Sequence, residues 1–448
     1  MGTWKFPPQV AAWIDDLSAA LHGRLAWRLL ALLAGLLWAQ GRRTVASCLR
    51  ANGLSKRFKP FYYFLGRLGR CVEGVASRLL RLVAARLPLE DRLLFALDDT
   101  PTQRSGPRVE GAGIHHNPTP GPAGQKFLYG HVWVTVAWVV NHPRWGVLGL
   151  PLRALLYIRQ KDLAKLAPWK RDRFPFRTKL ALAAELVSWV AQWLHYLGKT
   201  LWFVVDGAYA KRPFLKAAAA AGVIVVSRLR KDAALRTVPV PPRPGAAPRR
   251  GRKPKYGKQA ISLAKRATHA RGWQQAEMTL YSGKKVTKTF KSFLATYAPA
   301  GGLIRVVLTR EESGWVAFFG TDPNATAEQI LKAVADRSVI EQDFHDIKEV
   351  HGAGQQQVRH LWANVAVYHV TLWLHTLIEL WAWDQPAKQL RNRSASPWDD
   401  AERRPSHADR RNALRRACLQ QTFSPSQGLQ VLTRKTRALV RSLLQLVA

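Results

Sequence analysis

The chain has 448 residues, long enough for two or three domains and a large core. It carries 69 Lys plus Arg against 29 Asp plus Glu, a formal charge of +40, so its partner is expected to be a polyanion, nucleic acid before anionic membrane. Cys48, Cys71 and Cys418 are scattered and odd in number, which speaks against a zinc site and for a reducing, cytoplasmic compartment. No cleavable signal segment is visible. The uncharged run Leu29 to Ala39 is too short to span a bilayer. The longer run Leu361 to Trp383 contains Asn364, His369, His375 and Glu379 and reads as a buried amphipathic helix, so no membrane partner is expected.

Residues 8 to 90 read as all-helical. Ile14 to Leu21, Leu25 to Leu37, Thr44 to Leu49 and Val75 to Leu87 each show apolar helical periodicity. Gly41-Arg-Arg-Thr44 is a break followed by an N-cap, and Arg42, Arg43, Arg50, Lys56 and Arg57 surround the next short helix. A helix start with a basic fringe fits a DNA reader and equally a solvated basic face.

From Arg92 strands and helices alternate. Leu93 to Leu97 is an apolar strand expected to stop in the polar turn Asp98-Asp99-Thr100-Pro101. A Gly- and Pro-rich loop from Gln103 to Lys126 carries His115 and His116, whose ordinary reading is as loop residues. Gly130 to Val140 and Trp145 to Pro151 complete an antiparallel meander. A helix from Lys179 to Leu197 leads to the strand Leu201 to Val205, which ends in Asp206-Gly-Ala-Tyr209. Lys211 to Ala221 is helical and Gly222 to Val226 is another buried strand. Acids thus end the first and fourth strands, where α/β folds gather chemistry.

Arg228 to Lys291 holds 18 basic residues against Asp232 and Glu277. Its Pro-rich start and the run around Arg252, Lys253 and Lys255 read as a solvated basic loop. Strands at Glu277 to Tyr281, Lys285 to Lys291, Leu303 to Thr309 and Trp315 to Gly320 suggest a β-rich insertion whose charge suits a phosphate backbone. Trp273 and Trp315 there are read as buried aromatics before base-stacking platforms.

Thr326-x-x-Gln329 is a capping box, and Asp336 to Lys348 reads as one helix placing Arg337, Glu341 and Lys348 on a single face. Three carboxylates from separate segments can hold two divalent cations for in-line phosphoryl transfer, without any Cys or His cage. No Walker-type loop occurs, so no NTP hydrolysis is expected. The tail after Gln385 returns to apolar periodicity at Leu429 to Leu446; its Arg403, Arg404, Arg410, Arg411, Arg415 and Arg416 are read as DNA-binding or solvated.

Arg337-x3-Glu341-x6-Lys348, Asp206-Gly-Ala-Tyr209 and Asp98-Asp99-Thr100 together resemble the motifs of a bacterial insertion-sequence DDE transposase, in the branch with a ribonuclease H-like core, a β-rich insertion and a Tyr-Arg-Glu-Lys type signature. The likeness runs from about Gly41 to Trp383, with Val334 where the family has its Tyr. It implies an α/β fold: a ribonuclease H-like mixed sheet with helices on both faces, interrupted by the insertion and preceded by an all-α domain. The corresponding segments are 1–90 (helical, DNA-binding), 91–228 (first part of the core), 229–320 (insertion), 321–384 (second part, with the Glu341 helix) and 385–448 (basic tail, partly helical). The resemblance implies Asp98, Asp206 and Glu341 as catalytic metal ligands, with Asp99 a rival to Asp98. It further implies Mg²⁺, for which Mn²⁺ substitutes, and DNA contacts from Arg337 and Lys348. The expected activity is that of a polynucleotidyl transferase that binds element ends, cleaves and joins them to target DNA, as a homodimer at synapsis and without a covalent protein–DNA intermediate; Tyr209 is read as structural. The alternative is a DNA-binding protein that has lost catalysis.

Overall fold

The computed structural model describes residues 4–117, 124–240, 251, 254–280, 283–391 and 398–423. Arg252, Lys253 and the periodic stretch Leu429 to Leu446 lie outside the described residues.

The chain opens with helices α1 (Pro8–Ser18), α2 (Gly23–Trp38), α3 (Val45–Ala51) and α4 (Phe58–Arg86). Thr44 caps α3 by accepting the Ser47 N–H, as the sequence suggested. Helix α4 is far longer than the stretch Val75 to Leu87 read from periodicity. Its buried stripe begins at Phe61 and runs through Phe64, Leu65, Leu68 and Val72, partly hidden in the sequence by the glycines and arginines between them.

Strands β1 (Arg92–Gln103), β2 (Gly113–His116), β3 (Phe127–His142) and β4 (Gly146–Tyr157) follow. After the short helices α5 (Gln160–Leu163) and α6 (Pro168–Arg173) come α7 (Lys179–Leu194), β5 (Thr200–Val205), α8 (Arg212–Ala220) and β6 (Ile224–Leu229). β1, β3 and β4 form the expected antiparallel meander, and β1, β5 and β6 pair in parallel. Two expectations are corrected here. β1 does not stop at Asp98: pairing with β5 ends at Leu97↔Val205, but pairing with β3 continues to Gln103↔Gly130. Pro101, which cannot donate, falls where the β5 side is already open. The Gln103 to Lys126 segment also contains a strand, since β2 joins β3 and carries His115 and His116.

Next come β7 (Leu235–Arg236), β8 (Ala260–Ile261), α9 (Leu263–Thr268), β9 (Gln274–Leu280), β10 (Lys284–Tyr297), β11 (Gly302–Glu311) and β12 (Gly314–Gly320). The insertion strands extend the central sheet: β12 pairs antiparallel with β6, and the order is β2-β3-β1-β5-β6-β12-β11-β10-β7-β8, with β4 on β3 and β9 on β10. Trp273 is enclosed by Lys291 and Arg310, and Lys231 lies over Trp315, so both indoles already have cationic partners.

Helices α10 (Ala327–Asp336), α11 (Val339–Glu349), α12 (Leu361–Ala382), α13 (Ala387–Leu390) and α14 (His407–Phe423) complete the described chain. The Thr326/Gln329 capping box is present. The single helix expected from Asp336 to Lys348 is instead two, because the turn tightens at Arg337 and Ser338: Ile340 and Glu341 donate to carbonyls three residues back. α12 is buried nearly all round rather than amphipathic. No helix among the described residues is long and apolar enough to cross a membrane.

For three of the tail arginines the reading as DNA-binding or solvated is corrected. Arg410, Arg411 and Arg415 are buried, and Arg403 pairs with Asp399 and Asp409. α14 packs on α12 and α2, with Arg411 donating to the Leu37 carbonyl at 2.7 Å. One buried apolar cluster therefore runs from the first helices through the sheet to Leu419.

Close packing of α4 on α12 requires Gly69, where an added Cβ would lie 1.9 Å from the Trp362 carbonyl oxygen. Gly69→Val is expected to destabilise the fold by about 3 kcal/mol, read as a lower urea midpoint at unchanged slope.

Candidate active site

The parallel register of β1 and β5 carries the first two acids. Leu97 is opposite Val205, so the next residues, Asp98 and Asp206, leave neighbouring strands side by side. Asp98 is half-buried and Asp206 is exposed. Asp206 turns back to accept the Ala208 N–H at 3.0 Å, which shapes the Asp206-Gly-Ala-Tyr turn.

Arg337 joins the third acid to them. From the tightened turn between α10 and α11 its Nη1 reaches Asp98 Oδ2 at 2.6 Å and its Nη2 reaches Glu341 Oε1 at 2.9 Å. The helical spacing that suggested an Arg337–Glu341 pair is met, and Asp98 is added to it from 239 residues away. Lys348, two turns further along α11, is half-buried, and burial draws its ammonium below the usual lysine range. Lys348 does not line the cleft of about 770 Å³ that Glu341 borders. That cleft contains neither Asp98 nor Asp206, so Glu341 lies between the two regions.

Asp98 and Asp99 differ in their partners. Asp99 Oδ2 is held by Lys179 Nζ at 2.6 Å, and its Oδ1 accepts from the Tyr209 hydroxyl at 2.7 Å. Asp98 faces Arg337 and the side where Asp206 stands. Tyr209, which sequence analysis took as structural, is the link between the Asp206 turn and Asp99; burial and the nearby carboxylates push its phenol upward. His115 lies over Tyr157 near Lys179 and Asp99, and burial together with Arg159 and Lys179 lowers its imidazole to about 4.

The proposed DNA contacts near α3 border another cleft. Arg42 lines it with Arg104, Arg108 and Arg359, and the Arg43 backbone N–H donates to Gln355 Oε1 at 2.9 Å. Arg42 and Arg108 are exposed, whereas Arg104 is buried and bonded to the Gly354 carbonyl, to Gln356 and to Asn364. Lys255 is exposed at the sheet end near β8.

The donor set suits a hard divalent cation. It consists of carboxylate oxygens, with no thiol and no imidazole between them, and Arg337 places one positive group against two of the three acids. Asp98 is pushed up to about 6, chiefly by burial, against the opposing pull of Arg337; Asp99 and Asp206 add to the rise.

That shift predicts a pH signature for the metal-free protein. A free aspartate titrates near ~4. Folding therefore takes up a proton between about pH 4 and 6, and the folded state loses stability as pH rises through that window. Asp98→Asn is expected to exceed wild type in thermal stability by an amount that grows from about pH 4 to 6 and then stays level, on the order of 1–3 kcal/mol at pH 7. A difference independent of pH would show that Asp98 is not the titrating group.

Among curated proteins none matches the chain. A family model described as DDE superfamily endonuclease matches residues 16–291, which include the segments carrying Asp98, Asp99 and Asp206 and end before α11. That span exceeds half of the sequence, and the strand-end acids lie within it: the chain belongs to the DDE superfamily endonucleases.

Proposed function

We propose that the protein is a DDE transposase that binds the ends of its own mobile element, cleaves the DNA there and joins the freed 3′-hydroxyl to target DNA. The observation that carries this reading is the meeting of three carboxylates from three segments, Asp98 and Asp206 by strand register and Glu341 through Arg337. Asp98, Asp206 and Glu341 would hold the divalent cations, Mg²⁺ by the hardness of the donors, with Mn²⁺ as a substitute. The chemistry those ions supply is polarisation of the scissile phosphate and activation of the attacking water or 3′-hydroxyl.

The chain's own groups have defined tasks in this reading. Asp98 takes the ligand role over Asp99, because Asp99 is engaged by Lys179 and Tyr209. Asp99 then fixes the turn after Asp206 through Tyr209 and balances Lys179. Arg337 shields Asp98 and Glu341 from each other until cations arrive. With cations held by those acids, the planar guanidinium of Arg337 would be able to bind a DNA phosphate. Val334, on α10 three residues before Arg337, lacks the phenol of the family signature, so phosphate contact here would rest on Arg337 in the following turn and on Lys348 in α11. Arg42 and Arg43, with the basic run of Arg252, Lys253 and Lys255, would track the DNA backbone. Synapsis of two ends would bring two copies together.

The test uses purified protein with Mg²⁺ or Mn²⁺ and a labelled DNA bearing the ends that flank its own gene. Wild type is expected to nick at the element end, and Asp206→Asn and Glu341→Gln to lose nicking to background while still binding. Binding without cleavage by the folded wild type under either metal would favour the inactive DNA-binding alternative. Arg42→Ala is expected to weaken binding across sequences and to lower the slope of log affinity against log salt by about one. An unchanged slope would remove Arg42 from the phosphate track.

A further inference from the structure

Three histidines from three elements meet near the C-terminal end of α11. His351 follows that helix, His375 lies in α12, and His407 begins α14. Their side chains are 0 to 4% exposed, and one ring nitrogen of each lies within 4.8 Å of the other two. The hydrogen bonds set the ring protons. His407 Nδ1 lies 2.5 Å from Glu379 Oε1, and the other Glu379 oxygen is bonded to Arg410. Glu379 is therefore an anion that accepts a hydrogen bond from His407 Nδ1–H, leaving the His407 Nε2 lone pair pointing inward. That Nε2 accepts from His351 Nε2–H at 2.7 Å, a proton that a bound metal would displace. His375 directs Nε2 to Asp343 Oδ1 at 3.5 Å, which leaves its Nδ1 with a lone pair; this atom is buried and without a hydrogen-bond partner, as is Asp343 Oδ2. Gly149 keeps room for Asp343, since a Cβ there would fall 1.8 Å from the Asp343 carboxylate.

We infer that His351, His375 and His407 form a transition-metal site of the Zn²⁺ class, separate from the three-carboxylate site. A histidine whose second nitrogen is held by a carboxylate is the usual form of a metal-ligating imidazole, because the carboxylate fixes the tautomer and raises ligand basicity. Glu379 does this for His407 and Asp343 for His375. Imidazole donors without thiolates suit Zn²⁺ and its neighbours better than Mg²⁺ or Cu(I). Zinc–nitrogen bonds of ~2.0–2.1 Å in a tetrahedron set the nitrogens ~3.3 Å apart, so the His351–His407 pair at 2.7 Å must open while the wider pairs close. The His375 and His407 rings, stacked at 3.9 Å and 14°, must also tilt, because an ion lies in the plane of each ring it binds. The fourth position opens toward the cleft that Glu341 also borders. An ion there would fasten α14 and α12 to the end of the helix that carries Glu341, so its role is to position that helix.

The experiment uses the full-length protein and an Asp98→Asn/Asp206→Asn form that disables the carboxylate site. Both are stripped with chelator and titrated with Co²⁺ as a spectroscopic probe, then with Zn²⁺. Metal content is measured by elemental analysis. The expected result is one tightly held equivalent per chain in both proteins, with the strong visible absorption of four-coordinate Co²⁺, displaced by Zn²⁺, and a higher thermal midpoint with Zn²⁺. His351→Gln and His375→Gln are expected to lose that equivalent, and His345→Gln, an exposed neighbour on the same helix, to keep it. No stoichiometric uptake by the stripped wild type overturns the proposal, even if the glutamine variants do not fold. Uptake that gives only the weak spectrum of six-coordinate Co²⁺, or that survives in folded His351→Gln and His375→Gln, overturns it as well.

Discussion

A helix buried nearly all round must find a partner inside the protein for every polar group it carries, and α12 imposes that constraint on the rest of the chain. Asn364 meets Arg104 at the end of β1, and His369 accepts from the Ala154 N–H in β4. His375 turns to Asp343 on α11, and Glu379 to His407 and Arg410 on α14. Each partner comes from a different element. Burying an amide, two imidazoles and a carboxylate costs several kcal/mol apiece when they are unpaired, so the segments that supply the partners are held in register around the helix. The sheet, α4 and the C-terminal helix are arranged about this axis. α11, with Glu341, stands on one side of it.

The acids obey a related rule of charge. Asp98, Asp99, Asp206 and Glu341 are brought together by folding, and like charges in a partly desolvated space repel. The fold answers with three cationic or donor groups: Arg337 on Asp98 and Glu341, Lys179 on Asp99, and the Tyr209 hydroxyl on Asp99. The rise of Asp98 comes chiefly from its burial, and Asp99 and Asp206 add to it. A site that retains excess negative field in its empty form is one that gains by accepting cations.

Much of this was legible in the sequence because it rests on local pattern. Apolar runs ending in acids located β1 and β5, the Thr326 and Gln329 pair located the start of α10, and four-residue spacing joined Arg337 to Glu341. What escaped is what depends on distant partners. Nothing near Asp98 and Asp99 distinguishes them; the distinction is made by Lys179 and Tyr209, which arrive from α7 and the β5 turn. The end of β1 was misplaced because β3, not its own sequence, carries it on to Gln103. The tail arginines are read from sequence as DNA-binding or solvated, yet Arg410 and Arg411 are buried against Glu379 and the end of α2. His351, His375 and His407 share no short spacing, so a thiol-based search for metal sites passes over them.

The contact between Arg411 and the Leu37 carbonyl spans 374 positions of the chain. During synthesis α2 leaves the ribosome long before its partner exists, and the Leu37 carbonyl near its end stays without that donor until α14 has been made. Contacts of such separation close late, because loop closure must precede any gain from them. The seal on α2 therefore waits for α14: a nascent chain stopped before that helix leaves the Leu37 carbonyl without its Arg411 donor.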